Sequence, residues 1–185
     1  MNSYFSRLLF CLVLIILFAR CGKKSEETAA VEYATTPVAG KISGVAWAFA
    51  SGRVVVPSGA DAAEKYTFSL ISQKNDNPCE DFILSSDDKK LITFSYSKLE
   101  KGEVQLGVAA SGAMQTMTFF DNSTDKNINN ISTCGKWFID KIESSSVSGK
   151  IYSTSGSDNE VNGTFAVTKC CHKSSSDFTY EICSE

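Results

Sequence analysis

Seven cysteines, one histidine and a scatter of carboxylates are the residues of this 185-residue chain whose types could do chemistry. His172 stands beside Cys170 and Cys171, with Cys183 further along the tail, and zinc accepts a Cys3His set. The spacing matches no common zinc module. Any nucleophilic relay would also have to pass through His172, the single histidine, and no Gly-x-Ser-x-Gly elbow exists to meet it. His172 therefore reads as a loop histidine, and the sequence implies no metal and no cofactor.

The acidic residues fall into neighbouring couples: Asp61 and Glu64, Glu80 and Asp81, Asp87 and Asp88, Asp121 and Asp125. A glycosidase pair or a calcium site needs carboxylates converging from defined positions, and no run here matches an EF-hand or a similar repeat. Solvated loops are the simpler reading. Asn122, Asn130 and Asn162 head triplets of glycosylation-sequon form, which in a bacterial chain arise by chance. Trp47, Trp137 and the phenylalanines beyond residue 20 could line a sugar or peptide groove, but they sit at alternating positions where core packing is the default.

Cys21 has the most distinctive surroundings. Arg7 is followed by an unbroken apolar run, LLFCLVLIILFA at residues 8–19, and the cysteine comes directly after Arg20. These 12 residues are shorter than the roughly 20 that span a bilayer, so the stretch reads as an export signal that is removed. Leu17-Phe18-Ala19-Arg20-Cys21 resembles the lipobox of bacterial lipoproteins, where a signal peptidase cuts before a cysteine carrying diacylglycerol. The family favours Gly, Ala or Ser before that cysteine, and Arg20 departs from the pattern. The resemblance implies a signal peptide over residues 1–20, lipidation of Cys21 and a membrane anchor; an ordinary secretory signal and an uncleaved anchor are the alternatives. Gly22, rather than Asp, behind the cysteine fits sorting to the outer membrane of a diderm bacterium. Cys11 is then a small hydrophobe within the removed segment.

Removal of residues 1–20 takes Arg7 and Arg20 away and leaves 16 basic against 21 acidic groups, a net charge of −5. A mildly acidic surface is no footprint for nucleic acid. Residues 21–40 are small, polar and charged without apolar period, as a flexible tether would be. Residues 41–185 are long enough to bury a core as one domain.

From Lys41 onward short alternating runs are separated by turn-forming residues, the pattern of strands whose successive side chains face opposite ways. Strands are expected over residues 44–49, with Val45, Trp47 and Phe49 on one face, and over 52–56 as its hairpin partner. Tyr66, Phe68 and Leu70 mark the next, and Ile92, Phe94 and Tyr96 another. Residues 105–108, 115–120, 135–142, 147–152 and 161–167 complete the series, and no segment sustains a helical period. The expected fold is all-β, an antiparallel β-sandwich or, alternatively, a closed β-barrel.

Ser43-Gly44-Val45-Ala46-Trp47-Ala48-Phe49, Asn77-Pro78-Cys79-Glu80-Asp81-Phe82, Val147-Ser148-Gly149-Lys150-Ile151 and Val161-Asn162-Gly163-Thr164-Phe165-Ala166-Val167, the last leading to Cys170, together resemble a group of small uncharacterised lipoproteins of diderm bacteria. The resemblance implies an all-β domain and brings no activity. It also implies a bridge between Cys79 and Cys170, places where cysteines recur in those proteins. Adjacent Cys170 and Cys171 point opposite ways if extended, so Cys171 is expected to reach Cys183 by a fold-back of the tail. Cys134 could compete for either partner, and the odd count of five leaves one thiol free or paired between molecules.

The expected function is that of a non-catalytic, lipid-anchored β-domain of the cell envelope, structural or recognising a protein or glycan partner. An envelope hydrolase of unrecognised family and a small-ligand-binding β-barrel are the alternatives.

Overall fold

The computed structural model describes residues 32–59, 64–80, 89–108, 114–123, 128–174 and 179–184. Among them there is no helix. The strands, in chain order, are β1 (Ala39–Ile42), β2 (Val45–Ala48), β3 (Ser51–Val55), β4 (Tyr66–Ile71), β5 (Lys90–Tyr96), β6 (Gly102–Gln105) and β7 (Gly107–Val108), followed by β8 (Met114–Gln115), β9 (Met117–Asp121), β10 (Ile128–Ser132), β11 (Cys134–Ile142), β12 (Ser146–Ser155), β13 (Asn159–His172) and β14 (Tyr180–Ile182). The all-β expectation holds.

One sheet carries almost all of them, in the order β10-β9-β5-β4-β3-β13-β12-β11-β6, with β1 and β14 attached at β13, β2 paired to β1, and β7 pairing β8 in a small ribbon. Every pairing is antiparallel except β3 with β13, which run parallel from Thr168 opposite Arg53 to Cys170 opposite Val55. The nine-strand path curls into a half-barrel and does not close, which corrects the closed-barrel alternative. β10 ends at Ser132 and is followed after Thr133 by β11, and its contact with β12 runs through hydroxyls. Ser132 Oγ donates to Thr154 O at 2.6 Å, and Ser155 Oγ reaches Ile131 O at 3.4 Å.

The concave face holds the core. Phe68 stacks on Phe94 with centroids 4.6 Å apart, Phe94 lies 4.8 Å from Trp137, and Phe165 meets both phenylalanines edge-on. Val147 and Ile151 of β12 and Val161, Phe165 and Val167 of β13 point inward at every second position, as their alternation in sequence requires. Gly149 in the same row makes room: a Cβ there would stand 2.1 Å from Phe138 O and 3.0 Å from the Phe165 ring.

The first strands differ from expectation in partner rather than in kind. Ser43 and Gly44 both have positive φ, 51° and 75°, and form the two-residue turn that folds β2 back on β1. β3 therefore pairs with β4 and β13, not with β2. Trp47 is 4% exposed as expected, but Val45 is 54% exposed, because it sits at the tip beside that turn rather than over the core. Residues 105–108 divide between β6 and the β7 ribbon.

The compact unit starts at Glu32, so part of the expected tether belongs to the fold. Val38 is fully buried, and Val38 N–H donates to Thr164 O at 2.9 Å while Thr164 N–H donates to Thr36 O at 2.8 Å. Gly163, at φ 145°, permits this approach: a Cβ would lie 2.6 Å from Thr36 O. The Asn162 side chain ties the segment down further, accepting from Ala34 N–H and donating to Glu32 O.

Candidate functional site

The C-terminal end of β13 gathers more polar and reactive side chains than any other place described. Alternation puts Thr168, Cys170 and His172 on the outer face of the strand and Lys169 and Cys171 on the other. β3 lies along one edge. Its register places Arg53 beside Thr168 and Val55 beside Cys170, and Val56 N–H donates to Cys170 O at 2.8 Å. Along the other edge β12 begins just after Ser145, whose carbonyl accepts from Lys169 N–H. β14 then takes over that edge, with Ile182 opposite Cys170, Glu181 opposite Cys171 and Tyr180 opposite His172.

The two cysteine pairs sit on opposite faces at this point. Cys79 and Cys170 are at disulfide distance on the outer face, with Cα atoms 5.5 Å apart, and Cys171 and Cys183 pair at 5.1 Å between Cα atoms. Three of these four residues are buried, and Cys171 is half-buried. Engaged in this way, Cys170, Cys171 and Cys183 offer no thiolate to zinc. Among the described residues no group of His, Cys, Asp and Glu is placed to hold a metal ion. Cys134 is half-buried at the start of β11, and Cys21 lies outside the described residues.

Arg53 is the charged centre of the outer face. Its Nη1 donates to Pro78 O at 3.3 Å, steadying the segment that carries Cys79, and the Tyr180 ring covers its guanidinium at 5.0 Å. Burial lowers the Arg53 pKa from its ordinary value, with Tyr180 acting in the opposite direction. His172 meets the edge of Tyr180 at 4.9 Å. Ser58 binds the Glu64 carboxylate through its hydroxyl and its amide, and the hydroxyl bond is the main reason the Glu64 pKa is lowered. Lys173 pairs with Glu80 at 3.0 Å.

The other predicted carboxylates do not join them. Asp121 sits at the far end of β9, 3% exposed, where it accepts from Ser123 N–H at 3.0 Å and from the Ser123 hydroxyl and pairs with Lys90 at 3.2 Å. Burial works to raise its pKa, but the Ser123 bonds and Lys90 outweigh it and hold the value at about 2. Asp61, Asp81, Asp87, Asp88 and Asp125 lie outside the described residues. Trp47 and Trp137 both face the core, and neither forms a surface platform.

Arg53 and Tyr180 were not singled out in the sequence. For Tyr180 a signal existed: Tyr180 and Ile182 alternate with Glu181 just before Cys183, a short strand pattern. Arg53 carried no such mark beyond being a lone cation between Gly52 and Val54. A second cluster also escaped notice, on the outer side of β11 and β6. There Lys136 pairs with Glu103 at 2.8 Å and lies 4.9 Å over the Tyr33 ring, whose hydroxyl donates to Glu103. Burial first, and then the charge of Glu103, raise the Tyr33 pKa well above the ordinary phenol value. This cluster ties down residues ahead of β1 and has the character of a structural clasp.

No family model matches this chain, and neither a curated protein nor a solved structure matches it.

Proposed function

We propose that the chain is a non-catalytic, lipid-anchored β-domain of the bacterial cell envelope, tethered through Cys21 and serving a structural or recognition role toward a protein or glycan. The observation that carries this reading is the pairing of four domain cysteines at disulfide distance. Structural disulfides belong to oxidising compartments, where the export signal at residues 1–20 would deliver the chain. In this reading the halves of the curled sheet act as the layers of a sandwich, with Phe94 of β5 packed across the interior on Trp137 of β11 and Phe165 of β13. Aromatic side chains fill that interior, which favours recognition through the rim over capture of an apolar ligand inside.

The lipid is tested by growing cells with a labelled fatty acid. The wild-type chain should take up label and partition into detergent, and Cys21→Ala should do neither. A mature-size, membrane-retained alanine variant would sink the anchor. Pull-down of the anchored protein from native membranes then reports the partner.

A further inference from the structure

β14 is a short edge strand joined to the sheet by its main-chain ladder to β13, by the Tyr180 ring against Arg53 and His172, and by one bridge. It is three residues long; Tyr180 is half-buried, Glu181 and Ile182 are exposed, and the buried side chain that follows is Cys183. Its main-chain ladder to Cys170, Cys171 and His172 is extended by Cys183 N–H to Lys169 O at 2.9 Å and by Lys173 N–H to Thr179 O at 3.0 Å. A strand this short on a sheet edge, with no apolar side chain of its own in the core, opens at small free-energy cost once its covalent tie is gone.

The two bridges are unequal in this respect. Cys79 and Cys170 are 1% and 0% exposed, and each is held from another direction, Cys79 through the Arg53 bond to Pro78 O and Cys170 through Val56. Cys171 is half-buried, the least covered of the four cysteines. Accessibility of the attacked sulfur is one of the terms that set the rate of thiol–disulfide exchange.

We propose that the Cys171–Cys183 bridge is a thiol-releasable latch: an external dithiol opens it while Cys79–Cys170 stays closed, and β14 then lifts from β13 and uncovers Arg53. A thiolate of the dithiol attacks Cys171 Sγ, a mixed disulfide forms there, and Cys183 leaves as thiolate and takes a proton. The second thiol of the dithiol attacks the mixed disulfide and releases Cys171. Two electrons pass to the protein, which ends with two thiols, and the dithiol ends as a disulfide. With β14 gone, Tyr180 no longer shields the Arg53 guanidinium or the His172 ring. The edge of β13 at residues 170–172 loses its ladder partner. The latch is independent of whether Cys21 carries a lipid.

The test uses the full mature chain, titrated with dithiothreitol under native conditions, acid-quenched, alkylated and mapped, with amide exchange followed in parallel. Cys171 and Cys183 should become alkylated at least about tenfold faster than Cys79 and Cys170. Exchange protection of residues 180–182 should fall in step, while the Val56 amide keeps its protection. Simultaneous opening of both bridges, prior opening of Cys79–Cys170, or retained protection at β14 after Cys171 and Cys183 are labelled would each overturn the proposal. Cys183→Ser supplies the second readout: the latch requires it to remain folded with β14 already unprotected, and a chain that fails to fold overturns the proposal as well.

Discussion

The indole N–H of Trp47 donates to the main-chain oxygen of Lys90 at 3.3 Å and so fastens the β1–β2 hairpin to the start of β5, 43 residues away in sequence. The bond explains why a short hairpin that meets the main sheet through β13 nevertheless packs its tryptophan against the core.

Trp47→Ala should therefore cost about 3 to 5 kcal/mol as a large-to-small core change. Trp47→Phe keeps much of the apolar area but abolishes the donor, and leaves the Lys90 carbonyl without it, for a further loss near 1 kcal/mol. Urea melts of both variants give these numbers, and a Trp47→Ala cost below about 1 kcal/mol would place the residue outside the core.

Removal of the long bridge by Cys79→Ala with Cys170→Ala should destabilise the domain by about 4 kcal/mol, since the bridge joins residues 91 apart. The loop between Cys171 and Cys183 spans only 12 residues, and the chain-entropy cost of losing that bridge is smaller, nearer 3 kcal/mol. Peptide mapping without reductant should recover Cys79 and Cys170 as one linked species.

Asp121 predicts an acid limb. Its folded-state pKa of about 2 lies below the ordinary 3.8, so its stabilising contribution is complete above about pH 4 and is lost as pH falls toward 2. That contribution is on the order of 2 kcal/mol for a carboxylate this buried. Asp121→Asn should be less stable than wild type at neutral pH, and the difference should shrink steadily between pH 4 and pH 2. A gap that is constant over that range would show that folding does not lower the carboxylate's pKa.

Gly163→Ala tests the seating of residues 32–38. Strain from φ 145° and a Cβ 2.6 Å from Thr36 O should cost on the order of 1 to 3 kcal/mol. Amide exchange should rise first at Val38 and Thr164, the two ends of that contact. Faster exchange confined to β14 would contradict this seating.

The local chemistry of the residues determined a good part of this protein. Period-two alternation in β4, β5, β12 and β13 fixed which side chains face inward, because a half-buried strand has only two faces and the apolar row must take one. The opposed directions of Cys170 and Cys171 followed from the same geometry, and with them the expectation that the tail folds back to Cys183. Pairing was another matter. Whether β2 meets β1 or β3 depends on positive φ at Ser43 and Gly44, and a Ser-Gly step does not announce that conformation. β10, with Ile128 and Ile131 set around two asparagines, has too little alternation to be read as a strand, and its pairing with β9 and its hydroxyl contacts to β12 supply what its sequence lacks. Arg53, Tyr180 and His172 come from three segments that only the parallel pairing of β3 with β13 and the return of β14 bring together. Long-range strand order is decided by which buried faces fit around Phe94 and Trp137, a property of the assembled sheet that no single segment contains.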